Sequence, residues 1–301
     1  MRRSAARHVV IVAALAVSIG ACGAQDDSSA TAAAQAATAA QAAAPDCPAA
    51  GLTELEGGFI RMPAGAQVGK TPLIVLVMPG GDGDRDDRLD LGRAATKQGY
   101  AVLAPTRAGG VFWTLNRSQG TADVENISAL LDRVIAAGCV DPDRISITGL
   151  SNGAGMATRI SCELPTRFAA VVPVAAGYRA LDPCPANARA SFLAIHGSAD
   201  TVVPYTGKPV DHRAGSVPRY TARRAERDGC EDAPRTTRPR ALVTRIAYRG
   251  CDAGLRVEIL RLSGTDHGWP GAGPPRPDHN PSGVSATTEL LRFVKSARRV
   301  G

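Results

Sequence analysis

The stretch Ile145-Ser146-Ile147-Thr148-Gly149-Leu150-Ser151-Asn152-Gly153 sets a serine between two glycines directly after a β-branched run. The run reads as a strand, and Gly-x-Ser-x-Gly reads as a sharp turn from that strand into a helix. In such a turn the serine takes a strained backbone conformation, and small neighbours let strand and helix pass close to it. Three fixed positions in five residues also occur in ordinary Gly/Ser turns, so the flanking sequence has to decide.

Upstream, residues 57–62 read as a short strand and residues 73–78 as an unbroken apolar run of the kind buried on both faces of a parallel sheet. That run empties into Pro79-Gly80-Gly81-Asp82. A helical stretch over 91–98 precedes a second apolar run, 100–105. Over 122–137, Val124, Ile127, Leu130, Leu131, Val134 and Ile135 share one helical face, and 139–144 reads as a turn into the strand before Ser151. Downstream come a helix over 153–163, strands over 168–174, 192–195 and 257–262, and a closing helix over 285–297 with Leu290, Leu291, Phe293 and Val294 inward. The segments 107–120 and 206–219 carry no clear pattern, and Arg219, Arg223, Arg224, Arg227, Arg235, Arg238 and Arg240 read as a solvated face. With no repeat and no second break in composition, residues 46–301 form one α/β domain with a mostly parallel sheet and helices on both faces.

The chain of 301 residues is 44% hydrophobic and 21% charged, which excludes disorder of the whole. Arg2, Arg3 and Arg7 precede an apolar stretch over 9–19, and small residues lead to Cys22; residues 1–21 read as an export signal. The order Ile19-Gly20-Ala21-Cys22 resembles a bacterial lipobox, which implies lipidation of Cys22 and a cell-envelope location, with plain secretion as the alternative. Residues 22–45 are mostly Ala, Gln, Thr and Ser, offer nothing to bury and read as a tether. Removing the signal lowers the formal charge from +7 to +4, too mild a balance to imply nucleic acid. Six further cysteines in an exported chain argue for disulfides. Proximity along the chain suggests Cys162 with Cys184 and Cys230 with Cys251, leaving Cys47 with Cys139, although fifteen pairings exist for six cysteines. No C-x-x-C spacing points to a metal or redox site.

Functional groups in open parallel sheets gather beyond the carboxyl ends of the strands. Ser151, Asp200 and His267 all fall there, in the chain order of an α/β-hydrolase. A serine hydroxyl needs a base, which imidazole supplies near neutral pH; a carboxylate then orients the ring and stabilises the imidazolium. Asp266 is a rival acid, but neighbours on an extended segment point to opposite sides. His196 reads as a structural hydrogen-bonding residue, and His212 and His279 as surface-loop residues. The backbone N–H of Asn152 is one expected donor to an oxyanion, and Gly80 or Gly81 the source of the other.

Several separated segments together resemble the polyhydroxybutyrate depolymerase and feruloyl/acetylxylan esterase group of α/β-hydrolases. They are Asp141-Pro142-Asp143-Arg144-Ile145 leading to Gly149-Leu150-Ser151-Asn152-Gly153-Ala154-Gly155-Met156, then Phe168-Ala169-Ala170-Val171-Val172-Pro173-Val174-Ala175, His196-Gly197-Ser198-Ala199-Asp200-Thr201-Val202-Val203-Pro204-Tyr205, and Asp266-His267-Gly268-Trp269-Pro270-Gly271. The resemblance implies a serine esterase with Ser151, Asp200 and His267 as its triad, no metal or organic cofactor, and small or polymeric esters as substrates. It also implies disulfides near the elbow helix and near the end of the chain. The family usually has His-Gly where this chain has Pro79-Gly80, which bears on the orientation of the oxyanion loop. Trp269, Trp113 and Asn116 are candidate cleft residues. Ferulate, acetylxylan and polyhydroxyalkanoate esters all remain open, with a secreted serine peptidase or a non-catalytic envelope-binding lipoprotein as the alternatives.

Overall fold

The computed structural model describes residues 47–80, 89–178, 184–207 and 215–300. The expected signal, Cys22, the tether and Gly81 lie outside the described residues. The first half runs β1 (Gly51–Leu55), β2 (Gly58–Met62), β3 (Thr71–Val77), α1 (Leu91–Thr96), β4 (Ala101–Pro105), α2 (Ala122–Ala136) and β5 (Val140–Leu150). The second half runs α3 (Ser151–Glu163), β6 (Ala170–Val174), β7 (Ser191–Gly197), α4 (Val217–Arg227), β8 (Arg235–Arg240), β9 (Val243–Tyr248), β10 (Val257–Leu262) and α5 (Ala286–Val294).

Among the described residues, all ten strands join one sheet in the order β1-β2-β4-β3-β5-β6-β7-β10-β9-β8. The six strands from β4 to β10 pair parallel, while β1-β2-β4 at one edge and β10-β9-β8 at the other pair antiparallel. Period two sorts the side chains of the central strands. Leu73, Val75 and Val77 pack on the face covered by α2, α3 and α4, and Ile74 and Leu76 on the face covered by α1 and α5. A strand so covered must be apolar at nearly every position, which is why the unbroken runs mark these strands. This is an α/β-hydrolase fold, and it delivers the carboxyl ends of β5, β7 and β10 to one pole of the sheet.

Two expectations are corrected. Residues 140–144, read as part of a turn, belong to β5, but the ladder jumps from Thr71↔Val140 to Leu73↔Ile145, so Asp141 to Arg144 bulge out and Asp143 N donates to Asp141 Oδ1 at 3.0 Å. A turn-like sequence is thus held within a strand. Arg224 is not on a solvated face: it is 1% exposed, donates to Ala190 O at 2.9 Å and stands 4.8 Å over the Phe192 ring. It sits in α4 on the same face as Val217, Tyr220 and Thr221. The structure joins Cys47 to Cys139, Cys162 to Cys184 and Cys230 to Cys251.

Candidate active site

The turn from β5 into α3 has the strained geometry expected of it. Ser151 sits at φ 54°, a left-handed conformation that costs a non-glycine residue about 1–3 kcal/mol and is found where the surroundings impose it. Gly153 makes room for this turn: a Cβ at that position would strike the Val77 carbonyl, so only glycine lets α3 leave the sheet this close to the end of β3.

A second close contact brings the other two groups in. A Cβ on Gly197 would strike the Thr265 carbonyl, and across that gap Ala199 N donates to Thr265 O at 3.0 Å and Ser198 N to Leu262 O at 2.8 Å. The loops after β7 and β10 are thereby stitched together. Asp200 Oδ2 lies 2.8 Å from His267 Nδ1, and His267 Nε2 lies 2.9 Å from Ser151 Oγ. Ser151 and His267 are partly exposed, whereas Asp200 is buried. Asp266 points away and pairs with the exposed His279.

Burial pushes the Asp200 carboxyl up, but hydrogen bonds from His196, His267 and the Val203 N–H, with the charge on His267, outweigh it and hold the group well below the usual carboxylate range. Asp200 Oδ1 accepts from Val202 N at 3.0 Å and Val203 N at 2.7 Å. His196, buried at the end of β7, places Nε2 2.8 Å from Val203 O and 3.3 Å from Asp200 Oδ2. Because Val203 O can only accept, that nitrogen carries the proton, and the same N–H faces the carboxylate. His196 is the hydrogen-bonding residue expected at this strand end, and its partners include the Asp200 carboxylate. The signal that would have found it is its spacing, four residues before Asp200 across a tight turn.

Trp113 and Asn116 take places other than the cleft surface expected for them. The Trp113 indole is 2% exposed, because a buried indole N–H needs an acceptor and finds Met78 O at 2.6 Å. Its backbone N–H donates to Asn152 Oδ1 at 2.8 Å, and Asn152 Nδ2 donates to Trp113 O at 3.2 Å. Trp113 thus ties the end of β3, just before Pro79-Gly80, to the residue after Ser151. Asn116 is exposed and accepts from Ser118 N as the cap of a short 3-10 turn. Trp269 is buried, donates from its indole to Thr287 Oγ1 at 3.0 Å, and so fixes the histidine loop on α5. It also lines a cavity of about 750 Å³ with His267, Leu150, Leu89, Pro275 and Arg276. The first-turn N–H groups of α3, that of Asn152 among them, have no intrahelical acceptor, and the capping residue Leu150 offers no side-chain acceptor.

A protein of Nocardia uniformis subsp. tsuyamanensis named "Putative esterase NocK" is 30% identical over 257 residues, 76% of this chain and 73% of that protein. The chain belongs to the same family of α/β-hydrolase esterases. This esterase also matches, over residues 93–182, the family model described as the prolyl oligopeptidase family. Feruloyl esterase B of Piromyces equi is 26% identical to the esterase over 155 residues, a match that spans 28% of that larger protein. Among solved structures, the acetyl xylan esterase from Aspergillus awamori superposes with a TM-score of 0.56 at 14% identity, over 79% of this chain and 93% of that one. That likeness is one of fold.

Proposed function

We propose that the protein is an exported serine esterase that splits carboxylic esters through an acyl-enzyme. Ser151 Oγ attacks the ester carbonyl as His267 Nε2 takes its proton, and Asp200 steadies the imidazolium. His267 returns the proton to the leaving alkoxide, and water admitted by the same base releases the acid. The N–H of Asn152 and an N–H from the Gly80–Gly81 segment receive the oxyanion. What carries this reading is the unbroken chain from Asp200 through His267 to Ser151, at 2.8 and 2.9 Å, on a serine held at positive φ. The relatives named for feruloyl and acetyl xylan ester cleavage favour feruloyl or acetyl esters of polysaccharide over polyhydroxyalkanoate. The basic, apolar and small-residue succession before Cys22 supports export with a lipid anchor.

A serine peptidase is the second reading, favoured by the prolyl oligopeptidase match over residues 93–182. Ser151→Ala should lower hydrolysis of p-nitrophenyl acetate by about 10³-fold or more with the melting temperature unchanged. Full activity in that variant overturns the proposal. Methyl ferulate, acetylated xylan, short polyhydroxyalkanoate and prolyl peptide anilides, run side by side, rank the substrates. Faster turnover of the anilide would make the protein a peptidase. Failure of a fluorophosphonate to label Ser151 in folded protein would make it a binding protein.

A further inference from the structure

The pole of the sheet opposite Ser151 carries a feature that the esterase chemistry does not use. The residues that open β3 and β4 and the bulge of β5 surround a depression of about 570 Å³, lined among others by Lys70, Tyr100, Arg144 and Lys295, with Gln67 and Gln98 beside them. Among the described residues, no carboxylate lines it. The chain has only four lysines, Lys70, Lys97, Lys208 and Lys295. Two of them line this depression and Lys97 adjoins it next to Gln98, so the compact ammonium groups of an arginine-rich protein are concentrated at one pole.

None of these three lysines has a carboxylate partner among the described residues. Arg144 is held in place by Asp141 at 2.6 Å and by the Lys70 carbonyl. Burial pushes the Tyr100 phenol up, while the charges of Arg144 and Arg298 pull against it, which adds Arg298 to the cations around this depression. The lining is thus rich in donors and cations, the chemistry that receives phosphate oxygens.

The connection of the chain indicates where that phosphate comes from. Cys47 is bonded to Cys139, which directly precedes β5, and Gly69 N donates to Gly138 O at 2.8 Å beside Lys70. Cys47 is therefore fixed at this same pole, and in the sequence it stands 25 residues after the Cys22 read as lipidated. We propose that the basic depression seats on the phosphate headgroups of anionic lipid, so that the Ser151 pole, about 20 Å away along the strands, faces away from the bilayer. Such a contact would set the orientation of the domain on the bilayer, which an acyl anchor at Cys22 leaves open.

The test uses the full chain carrying Cys22→Ser, so that no acyl chain contributes. Sedimentation with phosphatidylcholine vesicles gives the background, including any contribution of the apolar segment 9–19, and vesicles containing phosphatidylglycerol give the signal. Binding to the anionic vesicles should be stronger by about tenfold or more, and Lys70→Glu with Lys295→Glu should abolish that gain. Arg238→Glu with Arg240→Glu, an equal charge change on the exposed strand β8, should keep it within about twofold. Lys70→Gln with Lys295→Gln, which adds no negative charge, should lose part of the gain and covers the case in which the reversed pair fails to fold by circular dichroism. Equal loss in the β8 pair, or no preference for anionic vesicles in the parent, overturns the proposal. So does calorimetric binding of inorganic phosphate at this pole without vesicle binding, which would make it a site for a free anion.

Discussion

Asp200 and Asp228 are buried alike, at 3% and 0% exposure, and each has cationic or potentially cationic side chains nearby, yet the fold treats them in opposite ways. Asp200 is met by four donors: the N–H groups of Val202 and Val203 on one oxygen, and His267 and His196 on the other. Around Asp228, which follows α4, the guanidinium groups of Arg224 and Arg227 stand at 3.5 and 3.7 Å, and neither carboxylate oxygen has a hydrogen-bond partner among the described residues. Burial pushes both carboxyls up. At Asp200 the donors outweigh burial, and at Asp228 the charges of Arg224, Arg227 and Arg189 do not. Proximity of charge is thus a weaker stabiliser than donors in contact, because a hydrogen bond replaces the water that burial removes while a charge at arm's length does not. A group that must stay ionised beside a working base needs the first arrangement.

The largest effect that would break this comparison concerns activity. Asp200→Asn should lower kcat for p-nitrophenyl acetate by about 10³- to 10⁴-fold, since an amide favours the wrong tautomer of His267. Asp228→Asn should leave kcat unchanged. Equal losses in the two variants would mean that the contrast in environment has no bearing on the chemistry.

A smaller effect is expected at His196. Removing its N–H with His196→Leu should lower kcat by about tenfold, with little change in KM, and move the acid limb of the kcat/KM profile to higher pH, because Asp200 then leans more on His267. His196→Gln places an amide N–H at a similar reach and should restore most of both. Around His196 lie Asp200 and His267, the Tyr205 ring at 6.0 Å, and Arg261, its ladder partner on β10, which stacks on that tyrosine. A loss of melting temperature in both variants with no movement of the acid limb would reduce His196 to a packing residue.

How far these features could be read in advance depended on what buries them. The central strands were legible because both faces are covered and the runs are apolar throughout, and the order Ser151, Asp200, His267 followed because each residue comes shortly after such a strand. The hairpin of β8 and β9 was not legible. Arg235–Arg240 reads RTTRPR and is exposed on nearly every residue, so no alternation marks it, and its charges and Pro239 are what an edge strand uses to resist further pairing. Helix α4 hid differently: Val217, Tyr220, Thr221, Arg224 and Ala225 recur at helical spacing, but an arginine on the apolar stripe disguised the phase. Trp113 went the other way, since an aromatic in a loop gives no sign that its N–H will be called into the core by Met78 O.

The smallest effect is one of stability, and it distinguishes the two aspartates by sign. Asp228 has a folded pKa raised above its ordinary value, so its ionised form weighs against the fold at neutral pH. As pH falls through that raised value the folded state takes up a proton that the unfolded chain does not yet hold, and stability is gained. Asp200 has a depressed folded pKa, so its contribution is present above the ordinary carboxylate value and is lost as pH falls toward the folded one. Asp228→Asn, which imitates the protonated acid, should therefore be as stable as the parent or more stable by up to about 1 kcal/mol at pH 7, and the advantage should vanish on acidification. Urea unfolding of the two proteins between pH 7 and pH 4 measures it. A variant less stable than the parent at pH 7 would show that Arg224, buried over Phe192, depends on the Asp228 charge more than the carboxylate suffers from its own burial.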